Sequence, residues 1–233
     1  MLLYLREGDD VFTDENGIER HVNGVEFNIA RSCVEEDQYE LDVLSPPDGS
    51  WLIDVGAHVG GVSVSAAVTY PLLNVLALEA LQENADLLQA NAALNGVSDR
   101  MHVLVGALGT DEVVYGYESA VEHNFIANHG PSISWKGALA TRFVPRYTIE
   151  NLIWLLDADV CMVKIDCEGG EWDGFVGAER VPLIVGEWHP WHGAEGRTRE
   201  DFAALLPSHD VTFDPLGLVE GPGGFTARLR LAE

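Results

Sequence analysis

The stretch Trp51-Leu-Ile-Asp-Val-Gly-Ala-His-Val-Gly-Gly61 constrains the fold more than any other. An apolar strand runs into an acid and a glycine turn, and a helical pattern of small residues follows at once. Gly56 and Gly60 let the backbone turn where a Cβ would collide. Gly61 opens a helix whose first N–H groups face whatever lies beyond the strand end. A dinucleotide fingerprint needs Gly-x-Gly-x-x-Gly, but the position two after Gly56 is His58 and the next glycine is Gly60. The resulting Asp-x-Gly-x-x-x-Gly loop suits one nucleoside rather than a pyrophosphate, with Asp54, Gly56, Ala57, His58 and Gly60 as candidate contacts. A plain strand-to-helix turn would use the same glycines.

From Trp51 onward, apolar strand runs alternate with helical patterns. Strands are expected near 51–55, 75–79, 101–105, 160–166 and 183–188, and helices over Val62 to Thr69 and Asn84 to Leu94. Asn95-Gly96 is a C-terminal stop for the second helix, and Thr148 caps a third before the fourth strand. This alternation predicts an α/β fold with a parallel, doubly wound sheet. Near the end, a helix over 198–206 is followed by His209–Phe213, a Pro-Gly-rich turn region and Gly224–Leu231. Two strands with no helix between them pair antiparallel, an ending that ordinary dinucleotide-binding domains lack. The first 48 residues read as a lead-in that caps the sheet edge or roofs the site, with a hairpin around Val22–Ala30, a helical turn at Glu35–Tyr39 and a stop at Pro46-Pro-Asp-Gly49. Residues 49–233 form the main domain. The stretch 111–146 lacks clean periodicity and reads as an excursion over the site, where Tyr115, Tyr117, Phe125 and Trp135 are candidate pocket residues or ordinary core.

Chemistry-bearing residues gather at the expected strand ends. Glu79 closes the second strand, where a carboxylate can accept both hydroxyls of a ribose. Gly106 and Ala107 follow the third strand, and small residues there leave room for a flat base. Val163-Lys-Ile-Asp-Cys-Glu-Gly-Gly-Glu171 puts Asp166 at the mouth of the fourth strand, with Glu168 and Glu171 on the same turn. Three carboxylates so close repel one another unless a cation, a metal or a hydrogen-bond donor joins them. Lys164, inside this strand, is expected to be edge-facing or salt-bridged. The fifth strand empties into Glu187-Trp-His-Pro-Trp-His192. His189 is the general-base candidate, because imidazole titrates near neutrality, with His192 in reserve and Asp166 and Glu187 beside it. Imidazoles hydrogen-bonded within a turn are the structural alternative. His-x-x-His also suits a metal, but spacing supplies no third ligand and no metal site is assigned.

The net charge of −25, from 13 Lys and Arg against 38 Asp and Glu, excludes nucleic acid and anionic membrane surfaces as expected partners. It tolerates a cationic cofactor. No stretch reaches the roughly 18 apolar residues of a membrane span, and the expectation is a cytoplasmic protein. Cys33, Cys161 and Cys167 form an odd set without metal-ligand spacing, as free thiols would.

Together these residues resemble the FkbM family of S-adenosylmethionine-dependent methyltransferases. The resemblance is carried by Asp54-Val-Gly-Ala-His-Val-Gly60, by Glu79 through Asn95-Gly96, and by Lys164-Ile-Asp-Cys-Glu-Gly-Gly-Glu171, in that order along roughly Glu35 to Glu187. It implies a Rossmann-like methyltransferase fold, a seven-stranded, mostly parallel sheet with a C-terminal antiparallel hairpin, and S-adenosylmethionine as donor. It also implies O-methylation of a hydroxyl on a small natural product or sugar. Cofactor contacts would be Asp54, Gly56, Ala57, His58, Gly60, Glu79, Ala80, Gly106, Ala107 and Asp166, with His189 taking the hydroxyl proton. Ala80 stands where the family often has proline, and His58 where asparagine is frequent. Two alternatives remain: a protein that binds the cofactor without catalysis, and a nicotinamide-dependent oxidoreductase, which His58 and the terminal hairpin disfavour.

Overall fold

The computed structural model describes residues 10–13, 19–22, 39–110, 114–116, 126–127, 142–167, 170–189, 197–214 and 223–230. Seven strands make the main sheet: β1 (Trp51–Val55), β2 (Asn74–Glu79), β3 (Met101–Val105), β4 (Val160–Ile165), β5 (Leu183–Trp188), β6 (His209–Phe213) and β7 (Gly223–Leu229). Their order is β3-β2-β1-β4-β5-β7-β6. The β1–β2, β2–β3, β1–β4 and β4–β5 pairs are parallel, whereas β7 is antiparallel to both β5 and β6. The chain winds outward from β1 to β3, then returns to start β4 on the other side of β1. That reversal opens a crevice at the carboxyl ends of β1 and β4, where ligands bind in open α/β sheets.

Helices α1 (Gly61–Thr69), α2 (Gln82–Leu94), α3 (Ile149–Leu156) and α4 (Arg199–Ala203) follow the expected order. One core layer packs Leu52, Val75, Ala77, Met162 and Val185 against α1, α2 and Tyr39. The other packs Ile53, Leu76, Val163, Ile165 and Ile184 against α3, Trp188 and Phe202. Alternate residues of each strand supply the two layers, as the period of two requires. Thr148 caps α3 through a reciprocal box in which its hydroxyl accepts from Asn151 N–H and its own N–H donates to the Asn151 side chain.

Element ends differ from expectation for local reasons. Helix α2 begins at Gln82 rather than Asn84, because the Glu79 carboxylate accepts the Leu81 N–H and the Asn84 amide and so caps the helix from the preceding strand. The helix expected over 198–206 ends at Ala203, and Leu205 and Leu206 continue in tighter turns bonded to Phe202 and Ala203. Within 111–146, Val114–Gly116, Ile126–Ala127 and Arg142–Val144 form a small antiparallel sheet, while Ala107–Leu108 pairs in parallel with Arg146–Tyr147. In the lead-in, Asp10–Thr13 and Glu19–Val22 form an antiparallel pair. The hairpin expected at Val22–Ala30 apart from Val22, the turn at Glu35–Tyr39 apart from Tyr39, and Cys33, Tyr117, Phe125, Trp135, Glu168 and His192 lie outside the described residues. No helix among the described residues is long and apolar enough to cross a membrane.

Close strand contact makes one glycine a test of this packing. A Cβ on Gly186, in β5, would sit 1.8 Å from the Ile165 carbonyl oxygen of β4. Gly186→Ala is expected to destabilise the fold by about 3 kcal/mol, the upper end of the usual overpacking cost, seen as a lowered urea midpoint or as insoluble protein.

Candidate functional site

The loop after β1 is wound tightly. Gly56 and Gly60 lie at φ +72° and +94°, and His58 between them at φ +52°. Glycine takes these values without a steric cost, and histidine is among the few other residues found there with any frequency. The N–H groups of Gly56 and Ala57 both donate to the Leu78 carbonyl of β2, which pins the loop over the sheet. A Cβ on Gly56 would lie 1.8 Å from the Asp166 carbonyl oxygen. The β1 and β4 loops are therefore in contact at the crevice, and that contact requires glycine.

Beneath the loop, Lys164 and Asp54 face each other on adjacent strands and form an ion pair of 3.1 Å. Both side chains are almost wholly excluded from solvent, at 4% and 0% exposure, so the pair is buried. Lys164 also donates to the carbonyls of Val55 and Gly56, and Asp54 accepts the Ser63 hydroxyl at 2.6 Å. Lys164 is thus salt-bridged in the middle of the sheet, not edge-facing. Asp54 lies under the glycine loop rather than on its outer surface. The Lys164 ammonium is also 5.3 Å from the centre of the Tyr39 ring.

Glu79 sits at the β2 end with one carboxylate oxygen accepting the His58 N–H at 2.8 Å and the other accepting Leu81 N–H and Asn84. Burial raises its pKa above the ordinary value, and the hydrogen bonds from Leu81, His58 and Asn84 oppose that rise without cancelling it. Ala80 beside it is buried. Gly106 donates to the Glu79 carbonyl, and Ala107 to Pro145. The room that Gly106 leaves is filled by the Tyr147 ring, whose nearest carbon is 2.6 Å from a would-be Cβ.

At the mouths of β4 and β5, Asp166, Glu187 and His189 each present a donor atom within 4.8 Å of the other two. Glu171 lies behind them with no exposure. One of its oxygens accepts both the backbone N–H of His189 at 2.7 Å and its Nδ1 at 3.0 Å. With Nδ1 held by Glu171, the other ring nitrogen, Nε2, is turned toward Glu187, 3.9 Å away. Trp172 Nε1 donates to the His189 carbonyl and fixes the backbone of the same residue. Asp166 accepts the Tyr39 hydroxyl at 2.9 Å. Between Asp166 and Glu171, the Cys167 thiol is held well above its ordinary pKa by burial first and then by the two carboxylates, so it stays protonated. Cys161 and Cys167 are both free.

The structure brings Gly56, Ala57, His58, Gly60 and Glu79 to one rim, with Asp54 buried beneath it, and Asp166, Glu187 and His189 to the facing one. Two partners were missed in the sequence. Tyr39 reaches Asp166 from 127 residues away, and nothing in its local sequence marks that. Glu171 as the anchor of His189 was legible only as a carboxylate crowding the turn.

Residues 54–213 match the model of the Methyltransferase FkbM domain. Solved structures with similar architecture include the precorrin-6y C5,15-methyltransferase of Geobacter metallireducens, 14% identical with a TM-score of 0.48, covering 84% of this chain and 88% of that one. The O-methyltransferase of Bacillus cereus in complex with SAH is 13% identical with a TM-score of 0.44, covering 90% and 82%. A human methyltransferase 10 domain containing protein is 13% identical with a TM-score of 0.44, covering 95% and 88%. No curated protein matches the chain in sequence.

Two outcomes are expected from this geometry. Lys164→Met leaves Asp54 buried and unpaired and should cost about 3–5 kcal/mol, with Asp54→Asn/Lys164→Met recovering most of the loss in urea titrations. Because the folded-state pKa of Glu79 is raised, its contribution to stability is complete below the unfolded pKa and is lost as pH rises through the folded one. The melting temperature of wild type minus that of Glu79→Gln should therefore fall as pH is raised from about 5 to about 8.

Proposed function

The chain belongs to the FkbM methyltransferase family, and on that premise we propose that it transfers the methyl group of S-adenosylmethionine to a hydroxyl of a small molecule such as a natural product or sugar. The observation that carries this reading is the coupled rim at the crevice. The αL turn of Gly56, His58 and Gly60 is bonded through its own backbone N–H to the Glu79 carboxylate at the next strand end. Asp54 holds this turn from below through Lys164 and Ser63.

The residues present suit the donor. The Glu79 oxygen that accepts only the His58 N–H in the rim can also accept a ribose hydroxyl. Ala57 and the start of α1 would border the nucleoside, Ala80 and Ala107 the base, and Asp166 the methionine end, while Tyr147 fills the space beside Gly106. When bound, S-adenosylmethionine supplies an electrophilic methyl on a cationic sulfur, a charge the acidic chain accommodates. Displacement at that carbon needs collinear reactants more than covalent help, and rigid strand ends supply the alignment. Glu171 fixes the His189 ring, so that Nε2 can take the proton of the acceptor hydroxyl as its oxygen gains the methyl group.

Calorimetric titration tests the reading first. S-adenosylmethionine should bind and NAD should not, and Glu79→Ala should weaken binding by about tenfold or more, the loss of a charge-assisted hydrogen bond of ~1.5–3 kcal/mol. Binding of NAD alone would refute it. In turnover, His189→Ala should lower kcat by ~10²-fold or more, and retention of activity within twofold would remove the imidazole from the reaction.

A further inference from the structure

We propose that Asp166, Glu187 and His189 form a binding site for one divalent transition-metal ion that holds the acceptor's oxygen. The inference rests on the methyl-transfer reading of the pocket and changes the part His189 plays in it.

The three donors come from two adjacent strand ends, Asp166 after β4 and Glu187 and His189 at and beyond the end of β5, and they converge to within 4.8 Å. Ligand atoms around one ion at about 2.0–2.2 Å stand closer together than this, so a modest rotation of the half-buried carboxylate arms closes the set. Glu187 retains that freedom, with 27% of its side chain exposed, whereas the imidazole is 4% exposed and fixed.

A second, independent feature is the arrangement behind His189. Buried Glu171 accepts from Nδ1 and from the backbone N–H of the same residue, and Trp172 holds its carbonyl. A carboxylate on one imidazole nitrogen, with the other nitrogen turned toward a second carboxylate, is the outer-shell arrangement that orients a metal-bound histidine. Charge points the same way. Asp166, Glu171 and Glu187 bring three carboxylates around one imidazole. Tyr39 donates one hydrogen bond to Asp166 and leaves its other oxygen to the site.

Two carboxylate oxygens and one imidazole nitrogen favour Mn²⁺, Fe²⁺, Co²⁺ or Zn²⁺ over the all-oxygen sites of Mg²⁺ and Ca²⁺. Three protein ligands leave positions open for substrate oxygen. Coordination acidifies a bound hydroxyl, as it does a bound water. The O–H bond breaks with its proton leaving to solvent, and the oxygen's electron pair then forms the new bond to the methyl carbon. The carbon–sulfur electrons return to sulfur, giving a methyl ether and a neutral thioether. The ion's oxidation state does not change. Such a site selects acceptors able to chelate through a second oxygen beside the hydroxyl, such as vicinal diols or hydroxy ketones.

The test is Mn²⁺ titration of the chelator-treated full chain, followed by electron paramagnetic resonance, with no donor or acceptor present. One tight equivalent is expected above the weak background of an acidic surface. Affinity should fall at least tenfold in Glu187→Gln and in Asp166→Asn, and stay within twofold in Glu179→Gln, a remote control. Glu187 is partly exposed, so its variant should fold, which circular dichroism checks. The absence of a stoichiometric site, or equal loss in the control, would overturn the proposal. S-adenosylmethionine titration of the same metal-free sample separates the two readings: donor binding without Mn²⁺ binding sinks the metal alone, and Mn²⁺ binding without donor binding sinks the methyl-transfer reading.

Discussion

The buried ion pair between Lys164 and Asp54 is the interaction on which the rest of the site depends. It joins the two strands that flank the crevice, and the same ammonium binds the carbonyls of Val55 and Gly56, where β1 becomes the glycine loop. A charge buried in an apolar sheet is costly unless paired and hydrogen-bonded. Here each partner has a second set of contacts, so the pair fixes the geometry of the loop as much as it neutralises charge. With the loop fixed, the His58 N–H meets Glu79 and the Gly56 backbone lies against Asp166.

The opposite rim is organised by a different buried acid. Glu171 has no solvent exposure and uses one oxygen to hold two nitrogens of His189. Below it, Trp188, Phe202, Phe213 and Phe225 pack at ring-centre distances of 4.7–6.1 Å, and Trp172 joins the same group through Phe202 and Trp188. This aromatic mass is contributed by β5, α4 and the antiparallel hairpin. The antiparallel pair therefore supports the strand end that carries Glu187 and His189, besides forming one edge of the sheet.

Much of the fold was legible because its strands are short, apolar and sharply bounded. Trp51–Val55, Met101–Val105 and Leu183–Trp188 fall where the apolar runs were read, since glycine, proline or charged residues end each run. Thr148 was legible as a cap because it precedes an amphipathic helix, and it makes the expected bond. The start of α2 was misjudged by two residues because its cap is the side chain of Glu79, which belongs to the preceding strand and has a role of its own. Gly106 read as room for a ligand, yet Tyr147 occupies that room; a glycine marks close approach without saying by what.

By itself, the sequence determined the alternation of strand and helix, the glycine turn after β1, the strand-end positions of Glu79, Asp166 and Glu187, and the antiparallel ending, since all of these are local patterns of polarity and backbone freedom. Only the tertiary structure decided that Asp54 is paired with Lys164, that Tyr39 bonds Asp166, and that Glu171 holds both the backbone N–H and the ring of His189. The physical reason is that a side chain's partners depend on the strand order and on which face of the pleat it occupies. Contacts spanning 127 residues are set by the packing of the sheet, and no local pattern encodes them.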